Sequence, residues 1–160
     1  MLGDLSENRI YVFGCGNTLL GDDGFGPAVA DRLNESGRLP AHVTALDVGT
    51  SVRELLLDIL ISEKKPAKIF IVDAVDESGR PPGEVFEISV HEIPEKKIPD
   101  FSMHQFPTMN LLQELQEHSG IDIKIIVAQI QEIPDEVRPG LTPAVANAIS
   151  TACEYILLNL

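Results

Sequence analysis

Asp22 and Asp23 stand side by side in VFGCGNTLLGDDGFG, residues 12–26, a glycine-rich stretch that follows a β-branched and aromatic run. Carboxylates in such a loop do one of two things. They accept N–H groups at a helix start, or they bind a cation. A cap needs one acid, so the second of the pair is a candidate ligand. Asp73 ends the most hydrophobic run of the chain, in IFIVDAV. A carboxylate there is partly desolvated, which is costly unless it is hydrogen-bonded, as a cap on a neighbouring loop, or bound to a metal. His104, in SMHQF, closes a proline-punctuated loop and opens a helical pattern, so it can be carried over the same rim. Two carboxylates and one imidazole form a three-ligand set for a borderline divalent ion such as nickel or zinc, with coordination positions left open.

Other chemistries fit less well. A dinucleotide fingerprint would need glycines at 14, 16 and 19, and position 19 is Leu19. A phosphate loop would need a lysine after Gly21, where Asp22 stands. Both motifs attract anionic oxygens with backbone N–H groups, and two carboxylates at that point would repel them. The chain has no G-x-S-x-G elbow and no H-E-x-x-H helix. Cys15 with His104 as base would make a nucleophile, but Cys15 lies inside the turn, where a small buried side chain is the simpler account. Asp76 and Glu77 read as solvated turn residues, and His42 and His91 as loop residues. His118 falls in the last turn of a helix, where a cation suits the dipole.

The elements that would position these residues alternate along the chain. RIYVFG (residues 9–14) reads as a first strand. Pro27 is placed as the first helical residue of PAVADRLNES. HVTALDVG (42–49) is a second strand, and TSVRELLLDILI has helical spacing with one buried face. AKIFIVDAV (67–75) is a central strand covered on both faces, whereas EVFEISV (84–90) alternates like an edge strand. A helix runs from His104 to a stop near Gly120, followed by the last strand, IDIKIIVAQI. In GLTPAVANAISTACEYILLNL, Thr142 is the expected N-cap and Pro143 the first-turn residue.

Strands joined by crossover helices imply one α/β domain over residues 1–160, a twisted, mostly parallel five-stranded sheet with helices on both faces. Ligands of such sheets bind beyond the carboxyl ends of the strands. Function is therefore expected in the loops after Gly14, Asp47, Asp73 and Ile130.

The chain has 160 residues with 44% hydrophobic and 23% charged composition, an ordinary globular balance. Its 25 acidic and 12 basic residues give a formal charge of −13. That charge disfavours nucleic acid as a partner and suits a cation or a basic protein segment. With no signal-peptide pattern and no membrane-length apolar run, the expected compartment is the cytoplasm, without membrane insertion. Cys15 and Cys153 form no C-x-x-C pair.

In five ordered motifs the sequence resembles the hydrogenase maturation endopeptidases, which process the large subunits of nickel–iron hydrogenases. The motifs are GCGNTLLGDDGFG, DVGT (47–50), IFIVDAVD, SMHQF and GLTP (140–143). The resemblance implies an α/β protease that removes a C-terminal extension from a hydrogenase large-subunit precursor after nickel is loaded. It carries the family's metal-contacting residues onto Asp23, Asp73 and His104, and implies that the nickel is the substrate's, with none tightly held by the free protein. Two positions depart from the pattern. Val48 stands in place of a glycine in the turn and Gln131 in place of a small residue, and both bear on substrate choice. A docking or nickel-handling chaperone is the non-enzymatic alternative. A nucleotide-binding regulator of doubly wound type is a third reading.

Overall fold

The computed structural model describes residues 2, 6–91 and 105–160, with side chains in the third helix described from residue 110 onward. Its first strand, β1 (Ile10–Cys15), lies inside the sheet, with every residue buried. β2 (Val43–Gly49) lies on one side of β1 and β3 (Lys68–Val75) on the other, both parallel to it. β5 (Asp122–Gln129) continues the sheet parallel to β3, and β4 (Val85–Ile88) closes it as an antiparallel edge strand. The order is β2-β1-β3-β5-β4, five strands of which four are parallel.

Alternating side chains supply two separate cores. On one face Val12, Phe70, Val72 and Ile126 meet α1 (Phe25–Ser36) and α4 (Pro143–Leu158) through Phe25, Leu33, Val145 and Ile149. On the other, Tyr11, Phe13, Ile71 and Ile125 meet α2 (Val52–Ile61) and α3 (Gln105–Ser119) through Leu55, Leu56, Leu112 and Leu115. Burying a side chain of this size contributes roughly 1.5–3 kcal/mol each. The expected architecture, with helices on both faces, is the one found. Among the described residues no helix is long and apolar enough to cross a membrane.

The first helix begins earlier than Pro27 predicts. A short 3-10 turn, Gly21–Gly24, runs directly into α1 at Phe25. The reason is the contact beneath it. A Cβ at Gly26 would stand 2.3 Å from the Cys15 carbonyl oxygen and 2.4 Å from that of Val72. Glycine there lets the helix start against the backbones of β1 and β3, and the fully buried Phe25 anchors the first turn.

The chain leaves β1 for β2 on one side and returns to β3 on the other. The carboxyl ends of β1 and β3 therefore flank a topological switch point, where doubly wound sheets bind their ligands.

Candidate functional site

The segment between residues 15 and 24 is wound into turns by its own hydrogen bonds and by bonds to neighbouring segments. Gly16 has φ 131°, a conformation open to glycine, and its N–H donates to the Gly49 carbonyl at 2.9 Å. The Leu20 N–H donates to Asn17 O, and the Asp23 N–H donates to Leu20 O, each at 3.1 Å. The Asp23 carboxylate then closes the loop by accepting the Asn17 N–H on Oδ2 at 2.8 Å. This turn packs against β3, the strand that carries Asp73.

Neither acid caps the following helix, whose N-cap residue is Gly24, with no side-chain cap. Asp22 and Asp23 have separate partners. Asp22 is fully buried and faces the segment after β5. Its Oδ2 accepts the N–H groups of Gln131 (2.9 Å) and Glu132 (3.2 Å), and its Oδ1 accepts that of Thr142 (2.7 Å). The Thr142 hydroxyl lies 2.9 Å from both oxygens. Thr142 holds the expected N-cap position of α4, yet its side chain makes no cap bond, because the buried carboxylate takes its hydroxyl instead.

Asp23 is half-buried at the rim. Burial raises its carboxyl pKa, and the Asn17 N–H opposes this without cancelling it. Asp73 is 2% exposed, and its Oδ1 accepts the Ala74 N–H at 2.8 Å. His104 lies outside the described residues. Among the described residues there is no group of three or more His, Cys, Asp or Glu side chains able to hold a metal.

Cys15, at the end of β1, is buried close to this acidic rim. Its thiol is pushed well above the usual range by burial first, and then by the carboxylates of Asp73, Asp23 and Asp47. An acid raised so far is no thiolate nucleophile at neutral pH. The strand register sets Asp73 just beyond the Gly14–Val72 pair, and Asp23 Oδ1 lies 3.5 Å from where a Cβ on Gly16 would stand, while Asp47 belongs to β2, on the side of β1 opposite β3. Asp47 was legible only as a turn residue. It is exposed, and its Oδ1 accepts the Gly49 N–H at 2.9 Å.

Two further features shape the rim. Val48 sits buried within β2, at the register shift between Gly14/Asp47 and Cys15/Gly49, and the positive φ of the turn (55°) falls on Gly49. The valine is thus accommodated in strand conformation. Gln129, 5% exposed at the end of β5, accepts the Glu77 N–H on Oε1 at 2.7 Å and donates to Asp76 Oδ1 at 3.0 Å. It orders the loop after Asp73, with Asp76 and Glu77 exposed as expected. No local signal in the sequence marks Gln129 for that role.

Asp23 and Asp73 make the rim at the switch point acidic, which favours positive charge in whatever binds there. Comparisons with known proteins give both a family and a fold. The hydrogenase maturation protease family model matches residues 27–159. The coenzyme F420 hydrogenase subunit delta of Methanothermobacter thermautotrophicus is 38% identical over 155 residues, covering 94% of each chain. The hydrogenase 2 maturation protease of Escherichia coli is 31% identical over 154 residues, covering 95% of this chain and 90% of its own. The hydrogenase maturating endopeptidase HybD from Escherichia coli superposes with a TM-score of 0.74 at 27% identity, over 95% of this chain and 91% of that one. The family match starts just after the acidic turn, but these relatives extend across nearly the whole chain, and the chain belongs to the hydrogenase maturation protease family.

Proposed function

We propose that this protein is the endopeptidase that removes the C-terminal extension of a nickel-loaded hydrogenase large-subunit precursor, with Asp23, Asp73 and His104 contacting the nickel held by the substrate. The observation that carries the reading is the placement of Asp23, in the turn after β1, and Asp73, near the carboxyl end of β3, at the sheet's switch point, in a chain of this family. Carboxylate and imidazole donors match a borderline divalent ion. Asp23 is available to one through its second oxygen, since the Asn17 N–H engages Oδ2.

Contact with the nickel would fix the precursor so that the scissile peptide lies beside the rim, converting recognition into orientation. Hydrolysis then needs an activated water. Nickel polarises a water, or one of the carboxylates takes its proton. Asp23 suits the second role, because burial raises its carboxyl pKa and so makes the carboxylate a stronger base. The acidic rim suits a partner that brings positive charge with it, as the metal centre does.

The residues are tested one at a time on the nickel-loaded precursor. Asp23→Asn, Asp73→Asn and His104→Ala are each expected to slow peptide release by on the order of a hundredfold or more. A variant that cleaves at the normal rate, with nickel still required, removes that residue from the chemistry. A second reading is favoured by one relative's name: a hydrogenase subunit delta is 38% identical to this chain. A docking or nickel-handling protein would form a lasting complex with the precursor and leave its mass unchanged.

A further inference from the structure

We infer that Asp22 is a positioning residue for Asp23, fixing the angle at which Asp23 meets the rim by fastening its turn to segment 131–142. The inference rests on the reading of Asp23 as the residue that meets the substrate's nickel. Asp22 has no exposed surface, and its four hydrogen-bond donors all come from residues 109 to 120 positions further along the chain. Burying a carboxylate is costly, and here three N–H groups and a hydroxyl satisfy it. The same two segments are also joined through their main chains. The Gly21 N–H donates to Arg138 O at 2.9 Å, and the Arg138 N–H donates to Leu19 O at 2.8 Å.

Asp23 follows Asp22 within a single 3-10 turn of four residues. A rotation of Asp22 about the backbone therefore carries Asp23 with it. Segment 131–142 contains Pro134 and Pro139 and is mostly exposed, so its placement depends on this attachment. Asparagine at 22 would offer one acceptor oxygen where two are used, leaving buried N–H groups unmatched. Asp22 touches no reacting atom in this scheme. It acts through its neighbour.

A carboxylate that only staples the loop would behave differently, and the Asn17 amide separates the two cases. Asn17 N–H is held by the Asp23 carboxylate and makes no bond to Asp22 or to segment 131–142. Native-state amide exchange is measured on the full chain, wild type against Asp22→Asn. The amides of Gln131, Glu132 and Thr142 are expected to exchange faster, and that of Asn17 by at least about fivefold, the loss of one hydrogen bond. Thr142→Val keeps the N–H and removes the hydroxyl, so it should give the same pattern more weakly, with Thr142→Ser restoring wild-type exchange. It serves as the test if Asp22→Asn does not fold. Cleavage of nickel-loaded precursor by Asp22→Asn should fall by on the order of a hundredfold, as for other small misplacements remote from the chemistry. Faster exchange at Gln131, Glu132 and Thr142 with Asn17 unchanged would overturn the inference. If wild type itself does not cleave the precursor, the proposed reaction fails, while the Asn17 amide still decides the role of Asp22.

Discussion

A methyl group placed on Gly16 would stand 1.9 Å from the carbonyl oxygen of Asp23 and 3.5 Å from its Oδ1. The loop is closed so tightly that one residue's missing side chain sets the position of the other's carboxylate. Gly16→Ala meets both the clash and a φ of 131° that alanine resists. It is expected to lose roughly 2–4 kcal/mol of stability and measurable cleavage together. Urea unfolding within about 0.5 kcal/mol of wild type would mean that the loop yields more easily than this geometry allows.

Asp23 gives a pH test with a definite sign. Burial raises its carboxyl pKa in the folded chain. The folded state then holds that proton more tightly than the unfolded chain does. The associated stability is full below the unfolded value and is lost as pH rises through the folded one. Asp23→Asn keeps an oxygen for the Asn17 N–H and removes the charge. It should melt about 1–3 °C higher than wild type at pH 7, a small gain because the group is half-exposed. The gain should vanish below about pH 4, where both forms are neutral. A variant that melts lower at pH 7 would contradict the desolvated carboxylate.

Cys15 is expected to be dispensable for the reaction. Burial and then three carboxylates hold its thiol protonated, and Sγ faces the Phe13 carbonyl oxygen at 3.6 Å. Cys15→Ala should cleave precursor within about threefold of wild type, at a stability cost of about 1–2 kcal/mol for the cavity. Native protein at pH 7 should resist iodoacetamide at this position by intact mass. Loss of cleavage in a folded Cys15→Ala would revive the thiol mechanism.

Gln129 should matter more than its type suggests. Gln129→Leu leaves the Glu77 N–H without its acceptor and frees the Asp76 carboxylate. Leaving such a group unsatisfied costs about 1–3 kcal/mol. Chemical denaturation is expected to show a loss in that range, and a neutral result would mean that water replaces the amide.

The elements themselves were legible because periodicity and glycine or proline punctuation act locally. The first strand was expected at residues 9–14 and lies at Ile10–Cys15, while the edge strand was expected at 84–90 and spans Val85–Ile88. The start of α1 was missed because Phe25 and Gly26 are fixed by contacts with β1 and β3, which proline preference does not register. The acidic pair shows the same limit more sharply. Asp22 and Asp23 are adjacent and chemically identical, yet one is sealed against a distant segment and the other stands at the rim. Only the long-range fold separates them. Residue chemistry singles out Asp73 and one acid of the pair, and the resemblance chooses Asp23 as that acid.

The most direct measurement is the intact mass of the hydrogenase large-subunit precursor after incubation with this protein, with and without nickel loading. Release of a discrete C-terminal peptide from the nickel-loaded precursor alone is the expected result. Release irrespective of nickel, or an unchanged mass in both samples with a folded and correct partner, would contradict a metal-gated endopeptidase.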